Sequence, residues 1–290
     1  MLFGPSSYRE RGHFTMFNLA IRGHDLSDVQ TPVDLAEKAA AQEIHNLQLA
    51  LAASFPKMDS SAQAMNPGMG TYFKNTLDKK DLQVAILSCY SNLIHPEPSA
   101  REAILQKFEA YLAHARFFGA SMVASETGSV IPGLGYTEDN FQDAVFEDLV
   151  GVIKRLVAKG EKMGTLVAIE GGLNHPLYSL ERIEQLIAAV DSEYLGIILD
   201  PTNLITVDNY EKQVAIVKEA FERFGEKICA FHLKDFVIAD GKVKPVDFGT
   251  GVMDTKAILE IIAAYKPYCY IVLEETKNDA IKRAVQTING

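Results

Sequence analysis

The apolar residues of the chain fall into short runs rich in Val, Ile, Leu and Ala, separated by longer segments of mixed polarity. Within each run the polar residues do not alternate with apolar ones, as they would in a strand with one face in water. Such runs predict buried strands of a parallel sheet. Eight runs fit this description, at residues 17–23, 45–51, 82–90, 121–127, 166–171, 195–201, 228–234 and 270–275.

The segments between the runs repeat their apolar positions every three to four residues, which predicts amphipathic helices. Several end at a glycine in the expected capping position. The second helix, expected within residues 60–80, is the least regular, because Pro67 and two glycines interrupt it and indicate a loop. The clearest predicted helices are at 32–42, 99–119, 141–164, 210–225 and 254–265.

Eight buried strands, each followed by a helical segment, predict an α/β fold that closes as a single (β/α)₈ TIM barrel. No linker interrupts the repeat, so residues 1–290 are predicted to form one domain. An open doubly wound sheet is the alternative. It is disfavoured because no strand is followed by the glycine pattern that binds dinucleotides or phosphate.

Composition narrows the function classes. The formal net charge is −10 and no basic run occurs, which disfavours nucleic acid as a partner. The chain has no apolar run of membrane-spanning length and no recognisable signal segment, so we expect a cytoplasmic protein with no membrane partner. Cys89, Cys229 and Cys269 are odd in number and lie in or beside apolar runs, which predicts reduced, buried thiols.

In a TIM barrel the carboxyl ends of the strands meet at one mouth, and here five predicted strands end in polar residues. Burying several carboxylates together without a counter-charge costs roughly several kcal/mol per group, a cost that a divalent cation removes. Three carboxylates and one imidazole form an oxygen-rich set suited to Mn²⁺, Mg²⁺ or Co²⁺ and compatible with Zn²⁺. The predicted metal ligands are Glu170, Asp200, His232 and Glu274. Any one of them alone would more often be an exposed group or a helix cap.

The residues next to these ligands are also open to interpretation. Lys234 lies two positions after His232 and points the same way, so it either contacts substrate or forms an internal salt bridge. Glu275 is expected to face away from Glu274. Asp235 is expected to face away from the mouth and to brace the following loop, while the glycines of FGTGV form a turn before a helix capped by Asp254.

The motifs VAIEGG, IILDPTN, FHLKDF and IVLEE, in this order, resemble those of the sugar-phosphate isomerase/epimerase family. That family has the xylose isomerase-like barrel and includes ketose 3-epimerases, inosose dehydratases and, more distantly, the endonuclease IV group. The resemblance spans residues 15 to 287. It implies a metal held by the four predicted ligands and proton transfer by Glu170 and Glu274 through an enediolate.

The resemblance also points to the part of the site that binds substrate. The family's ketose 3-epimerases commonly carry other residues where this chain has Asn203, Ile238 and Pro176, which makes a standard ketose 3-epimerase doubtful. Arg22 either binds an anionic group or is an exposed surface arginine, the second being slightly favoured. The full set of candidate substrate-binding residues is Arg22, His95, Glu126, His175, Asn203 and Lys234.

Four functions, from different classes, remain open. The favoured one is a metal-dependent isomerase or epimerase of a sugar or sugar phosphate, and the alternative is an inosose-type dehydratase acting on a keto-cyclitol. An endonuclease IV-like enzyme or a non-catalytic binding protein is less favoured. The expected partner is a small sugar or cyclitol, and self-association of the chain stays open.

Overall fold

Eight parallel strands close into a barrel in the computed structural model, which describes residues 17–289. In barrel order each strand pairs with the next, and β1 closes the ring by pairing with β10, with Ala20 opposite Val272. The TIM-barrel prediction is therefore confirmed and the open-sheet alternative is wrong. That residues 1–290 form one domain stays a prediction, and its residues 1–16 and 290 lie outside the described residues. The barrel strands are β1 (Asn18–Arg22), β2 (Asn46–Ala50), β3 (Gln83–Ser88), β4 (Met122–Glu126), β5 (Leu166–Glu170), β6 (Leu195–Leu199), β7 (Ile228–Leu233) and β10 (Tyr270–Leu273).

Helices connect the strands and cover the outside of the barrel. Their apolar faces pack on the outward-facing strand residues in one large core, while a second, alanine-rich cluster that includes Ala20, Ala124 and Ala168 fills the barrel interior. No helix among residues 17–289 combines the length and apolar character needed to cross a bilayer. The helices are α1 (Pro32–Ala41), α2 (Leu51–Ser54), α3 (Pro67–Asp78), α4 (Pro98–Phe118), α5 (Asp143–Met163), α6 (Leu180–Val190), α7 (Gln213–Phe224), α8 (Thr255–Tyr265) and α9 (Asp279–Asn289).

Pro67 begins a helix rather than interrupting one. It is the first residue of α3, where its missing N–H costs nothing, and the Asn66 side chain accepts a hydrogen bond from the Met69 backbone N–H. Gly70 is required because a Cβ there would lie 2.6 Å from the Cβ of Phe117. The predicted loop precedes this helix, between α2 and α3.

An antiparallel hairpin that the sequence analysis did not predict follows β7. Its strands are β8 (Phe236–Ala239) and β9 (Lys242–Pro245), joined by Asp240 and Gly241. Both turn residues have positive φ, 52° and 68°, which is the conformation that an Asp-Gly hairpin turn requires. The Asp-Gly pair between two partly apolar segments was therefore an available signal.

Asp235 fixes the base of this hairpin. It is 1% exposed, and its carboxylate accepts hydrogen bonds from the backbone N–H groups of Phe236, Gly249, Gly251 and Met253 at 2.8–3.1 Å. A Cβ at Gly251 would lie 2.2 Å from the Phe236 carbonyl oxygen, so only glycine fits there. The expected bracing role of Asp235 is confirmed, and Asp254 caps α8 as predicted by accepting from the Ala257 N–H.

We expect Asp235→Ala to lower the free energy of unfolding by about 2–4 kcal/mol, because buried N–H donors lose a charged acceptor. Urea unfolding followed by circular dichroism measures this change. The exposed Asp208 has no such role, and Asp208→Ala should change stability by less than about 0.5 kcal/mol. Equal stability of the two variants would contradict the bracing role.

Candidate metal and substrate site

The four predicted metal ligands lie together at the mouth of the barrel. They come from β5, β6, β7 and β10, which are neighbours in the barrel, so the closed sheet brings their carboxyl ends side by side. Each side chain offers one ligand atom, and these atoms all lie within 4.8 Å of one another. All four residues are buried, and His232 is completely inaccessible. The cluster consists of Glu170, Asp200, His232 and Glu274.

Cationic groups of the same chain lie against the carboxylates of this cluster. Lys234 Nζ is 2.6 Å from Asp200 Oδ2 and 3.1 Å from Glu274 Oε1. His232 Nδ1 lies 2.6 Å from Glu274 Oε2 and 3.3 Å from Glu170 Oε1. Lys234 thus forms the internal salt bridges considered from the sequence, and it also lines the adjoining pocket.

The two glutamates of the cluster experience opposite electrostatic environments. Burial raises the pKa of Glu170; His232 lowers it, but burial together with the Glu274 and Asp200 carboxylates outweighs His232 and the pKa is raised overall. Burial alone would also raise the pKa of Glu274. There, however, His232, Lys234 and Arg22 hold the pKa well below its ordinary value. Without a bound ion, Glu274 is therefore ionised more readily than Glu170.

Two buried carboxylate oxygens of the cluster have a cation of the same chain as their one close donor among the described residues. Asp200 Oδ2 lies 2.6 Å from Lys234 Nζ, and Glu274 Oε2 lies 2.6 Å from His232 Nδ1. Buried carboxylates need such a counter-charge, which a metal ion can also provide. Such oxygen atoms, with one imidazole nitrogen beside them, fit a hard divalent cation such as Mn²⁺, Mg²⁺ or Co²⁺ and can also accept Zn²⁺.

A buried side chain on β2 orients the imidazole. His232 Nε2 lies 2.8 Å from Gln48 Oε1, and Gln48 Nε2 donates in turn to the Tyr90 hydroxyl at 2.5 Å. With the amide turned this way, Gln48 accepts a hydrogen bond from Nε2–H. In the protein without an ion Nδ1 is protonated as well, because burial lowers the pKa of His232 but the Glu170 and Glu274 carboxylates outweigh it and raise the pKa to about 10. A bound ion would take the place of the Nδ1 proton. Partners of this kind fix the tautomer of metal-binding histidines. Sequence analysis missed both residues, although a glutamine between Leu47 and Leu49 in an apolar strand was a signal.

A cavity of about 690 Å³ adjoins the cluster on its open side. Asn203 separates the two, since its Nδ2 donates to Glu170 Oε1 at 2.7 Å and its Oδ1 accepts from Lys234 Nζ at 2.6 Å. The cavity is lined by Glu126, Tyr136, Gly172, Leu173, Asn174, His175, Thr202, Asn203, Ile205, Thr206, Val207, Lys234, Gly241, Lys242, Val243 and Pro245. Four of the six candidate substrate-binding residues are among them: Glu126, His175, Asn203 and Lys234.

Glu126 and His175 form a pair on the cavity wall. His175 Nε2 is 3.6 Å from Glu126 Oε1, and His175 Nδ1 lies 2.8 Å from the Gly128 carbonyl oxygen. Burial lowers the pKa of His175, but the Glu126 carboxylate outweighs this effect and the pKa is raised overall. The pair therefore presents a proton donor and an acceptor next to each other.

Arg22 is buried next to the cluster and is not a surface residue. It is 8% exposed, and its guanidinium contacts Asp25, Glu274 and Glu275 at 2.7–3.0 Å. The favoured interpretation as a surface arginine is wrong, because β1 ends at the mouth beside β10. The expectation that Glu275 faces away from Glu274 is also wrong, since both contact Arg22; Glu275 follows the end of β10 and has a φ of 55°.

His95 lies in the loop before α4, and its hydrogen bonds are local. Its Nδ1 accepts from the Glu97 N–H at 3.1 Å, and its carbonyl oxygen accepts from Arg101 Nε at 2.8 Å. It does not line the cavity described above. A role for His95 in substrate binding stays a prediction.

Residues 38–289 match the model of the xylose isomerase-like TIM barrel family, and the chain therefore belongs to that family. Comparison with curated protein sequences finds no match.

Solved structures with the same fold include enzymes of several kinds. The probable 3-DHS dehydratase AsbF of Bacillus anthracis has a TM-score of 0.73 at 15% identity, over 94% of this chain and 99% of that one. The 3-keto-D-glucoside 4-epimerase YcjR of E. coli has a TM-score of 0.70 at 14% identity, over 94% and 98%. The IolI protein with a bound zinc atom has a TM-score of 0.69 at 15% identity, over 94% and 95%. At these identities the likeness establishes the fold alone.

We expect Lys234→Met to destabilise the metal-free protein by about 3–5 kcal/mol, because Asp200 and Glu274 lose their internal cation. Added Mg²⁺ should then stabilise this variant more than the parent protein, since the ion no longer competes with an ammonium group. Thermal unfolding with and without Mg²⁺ measures both effects.

The control is Lys242→Met at the cavity rim, where the exposed lysine forms no ion pair with the described residues. Its stability should stay within about 0.5 kcal/mol of the parent. A Lys234 variant that matches this control would show that the ammonium does not neutralise the cluster.

Proposed function

We propose that the protein is a divalent-metal-dependent isomerase or epimerase that acts on a sugar or sugar phosphate. The observation that carries this proposal is the buried cluster of Glu170, Asp200, His232 and Glu274, whose potential ligand atoms all lie within 4.8 Å of one another. Membership of the xylose isomerase-like family and a cavity beside the cluster support it. When bound, the ion would supply Lewis-acid polarisation of the substrate carbonyl.

The two glutamates are the proposed acid/base pair. Glu274 is contacted by Arg22, His232 and Lys234, which keep it in the carboxylate form that can accept a proton from the carbon next to the carbonyl, while they also weaken it as a base. Glu170 accepts a hydrogen bond from the neutral amide of Asn203, and its raised pKa suits the return of a proton on the opposite face. Enzymes that use two carboxyl groups as acid and base typically hold them in environments that shift their pKa values apart.

The remaining polar groups of the cavity would hold the substrate. Lys234 lines the cavity, and it would donate to a carbonyl or hydroxyl oxygen by exchanging one of its contacts with Asp200, Glu274 and Asn203. The Glu126–His175 pair is suited to bind further hydroxyls. Arg22 is better placed as a positioning residue, because acidic side chains of its own chain occupy its guanidinium. It would hold Glu274 at the mouth and would not bind substrate directly.

A dehydratase acting on a keto-cyclitol or a related cyclic ketone is the second candidate. Two observations favour it: the residues Asn203 and Ile238 stand where the ketose 3-epimerases commonly carry others, and one structural neighbour is a probable 3-DHS dehydratase. The first step, removal of a proton next to a carbonyl, is the same. Only the product distinguishes loss of water from return of the proton.

Proton NMR in D₂O tests both candidates. We expect loss of the signal of the carbon-bound proton next to the carbonyl when the protein is incubated with ketoses, their phosphates or inosose in the presence of Mg²⁺ or Mn²⁺, and no loss after chelation. An epimer or aldose would support the isomerase, and an unsaturated or diketo product the dehydratase. Absence of exchange with every compound would favour a binding protein.

We expect Glu170→Gln and Glu274→Gln each to lower the exchange rate by about 10²–10⁴-fold, the usual contribution of a general acid or base. The matched control is Glu275→Gln, which changes the partly exposed neighbour that also contacts Arg22. It should retain most of the activity. Loss of the same size in all three variants would indicate a general electrostatic effect in place of the assigned roles.

The hydrogen bond between Gln48 and His232 predicts that Gln48 affects the affinity for a divalent metal ion. We expect Gln48→Leu to weaken divalent metal affinity by about 10–100-fold, because His232 loses the acceptor that fixes its tautomer. Gln48→Glu keeps an acceptor opposite Nε2 and should restore much of the affinity. Isothermal titration with Zn²⁺ measures both, and equal affinity of the Leu variant and the parent would refute the orienting role.

A further inference from the structure

The cavity has two chemically different parts. Next to the cluster lie polar side chains that are mostly buried, including His175 and Lys234, at 7% and 6% exposure. Farther out, apolar side chains lie among polar ones and become exposed at the rim, where Tyr136 is 62% and Val207 38% exposed. The apolar lining consists of Tyr136, Leu173, Ile205, Val207, Val243 and Pro245. Asn174, Thr206 and Lys242 add polar atoms at the rim.

The cavity is larger than one sugar ring requires. Its 690 Å³ corresponds to roughly twenty water molecules of liquid volume at about 30 Å³ each, whereas a hexose has only about twelve non-hydrogen atoms. Pockets of roughly 300–1,000 Å³ typically hold larger, drug-sized ligands. A sugar bound at the polar end would therefore leave the apolar part unfilled.

Tyr136 is supported from behind by other aromatic rings. Its ring meets Phe141 edge to face, with centroids 5.9 Å apart, and Phe141 packs on Tyr178 at 4.4 Å. An exposed aromatic ring held by other rings is a ready surface for a flat apolar group. By contrast, an unsupported surface tyrosine would lose side-chain freedom on binding.

The two loops that carry this part of the wall are fixed by buried asparagines. Asn140 is fully buried; its Nδ2 donates to the Asn174 carbonyl oxygen at 2.7 Å, and its Oδ1 accepts from the Val130 N–H at 2.9 Å. Asn92 donates to the carbonyl oxygens of Ser129 and Ile131. The loop after β4 and the loop after β5 are thus joined before any ligand binds, which lowers the ordering cost of binding.

We infer that the substrate is a keto sugar or keto-cyclitol bearing an apolar, ring-containing substituent, such as an aryl glycoside with a keto group on its sugar ring, and that this substituent packs on Tyr136. The inference rests on the proposed function, which places the reacting ring at the polar end beside the cluster. The apolar substituent then lies between Tyr136, Val207 and the hairpin residues Val243 and Pro245. Specificity for the substituent is set by these loops and not by the metal ligands.

Ligand-observed NMR titration of the Mg²⁺-supplemented protein with matched methyl and phenyl glycosides of several hexoses tests the inference. At least one phenyl glycoside should bind about three- to tenfold more tightly than its methyl partner, with saturation transfer to the phenyl protons. Tyr136→Ala should reduce this preference to less than about twofold. Tyr72→Ala, which removes a similarly exposed tyrosine away from the cavity, should leave it unchanged.

The outcomes separate this inference from the proposed function. If no phenyl glycoside binds more tightly than its methyl partner, the inference is overturned, whatever the proton-exchange experiment shows. Tighter binding of glucose 6-phosphate than of any phenyl glycoside, abolished by Lys242→Ala, would also overturn it in favour of an anionic substituent. A phenyl preference that depends on Tyr136, without proton exchange in any sugar, would support the inference and refute the enzyme assignment.

Discussion

The burial of three carboxylates at one end of the barrel is the constraint on which the rest of the site depends. Such a group is stable only if cations reach it, and here they come from elements far apart in sequence, Arg22 at the end of β1 and Lys234 just after β7. The Arg22 contact with Glu274 exists only when β1 pairs with β10 and the barrel is closed, whereas Lys234 bridges the neighbouring strands β6 and β7. Completion of the site therefore depends on closure of the barrel.

Side chains around the cluster limit each of its members to few orientations. Gln48 turns His232, Asn203 bridges Glu170 and Lys234, and Arg22 holds Glu274. Such buried polar networks require every member to be paired, because an unpaired group costs about 1–3 kcal/mol.

Much of the fold and the identity of the cluster followed from the sequence, because buried parallel strands have a simple apolar pattern and their polar ends share one mouth. The predictions for Pro67 and Glu275 were wrong because they depended on local backbone geometry. Pro67 begins a helix, and Glu275 leaves the strand conformation. The pairing of Gln48 with His232 joins residues 184 positions apart and depends on the relative placement of β2 and β7. The sequence alone does not show which residues of β2 and β7 come into contact.

The hairpin after β7 is attached to the barrel through a base closed by Asp235 and Gly251. Its own strands pair only with each other, so their length and sequence do not enter the register of the eight barrel strands. Residues 237–244 can therefore change in the course of evolution while the buried cluster at the barrel mouth keeps its geometry. The same independence makes the hairpin a natural segment to exchange when an enzyme with this barrel is redesigned for a different substrate.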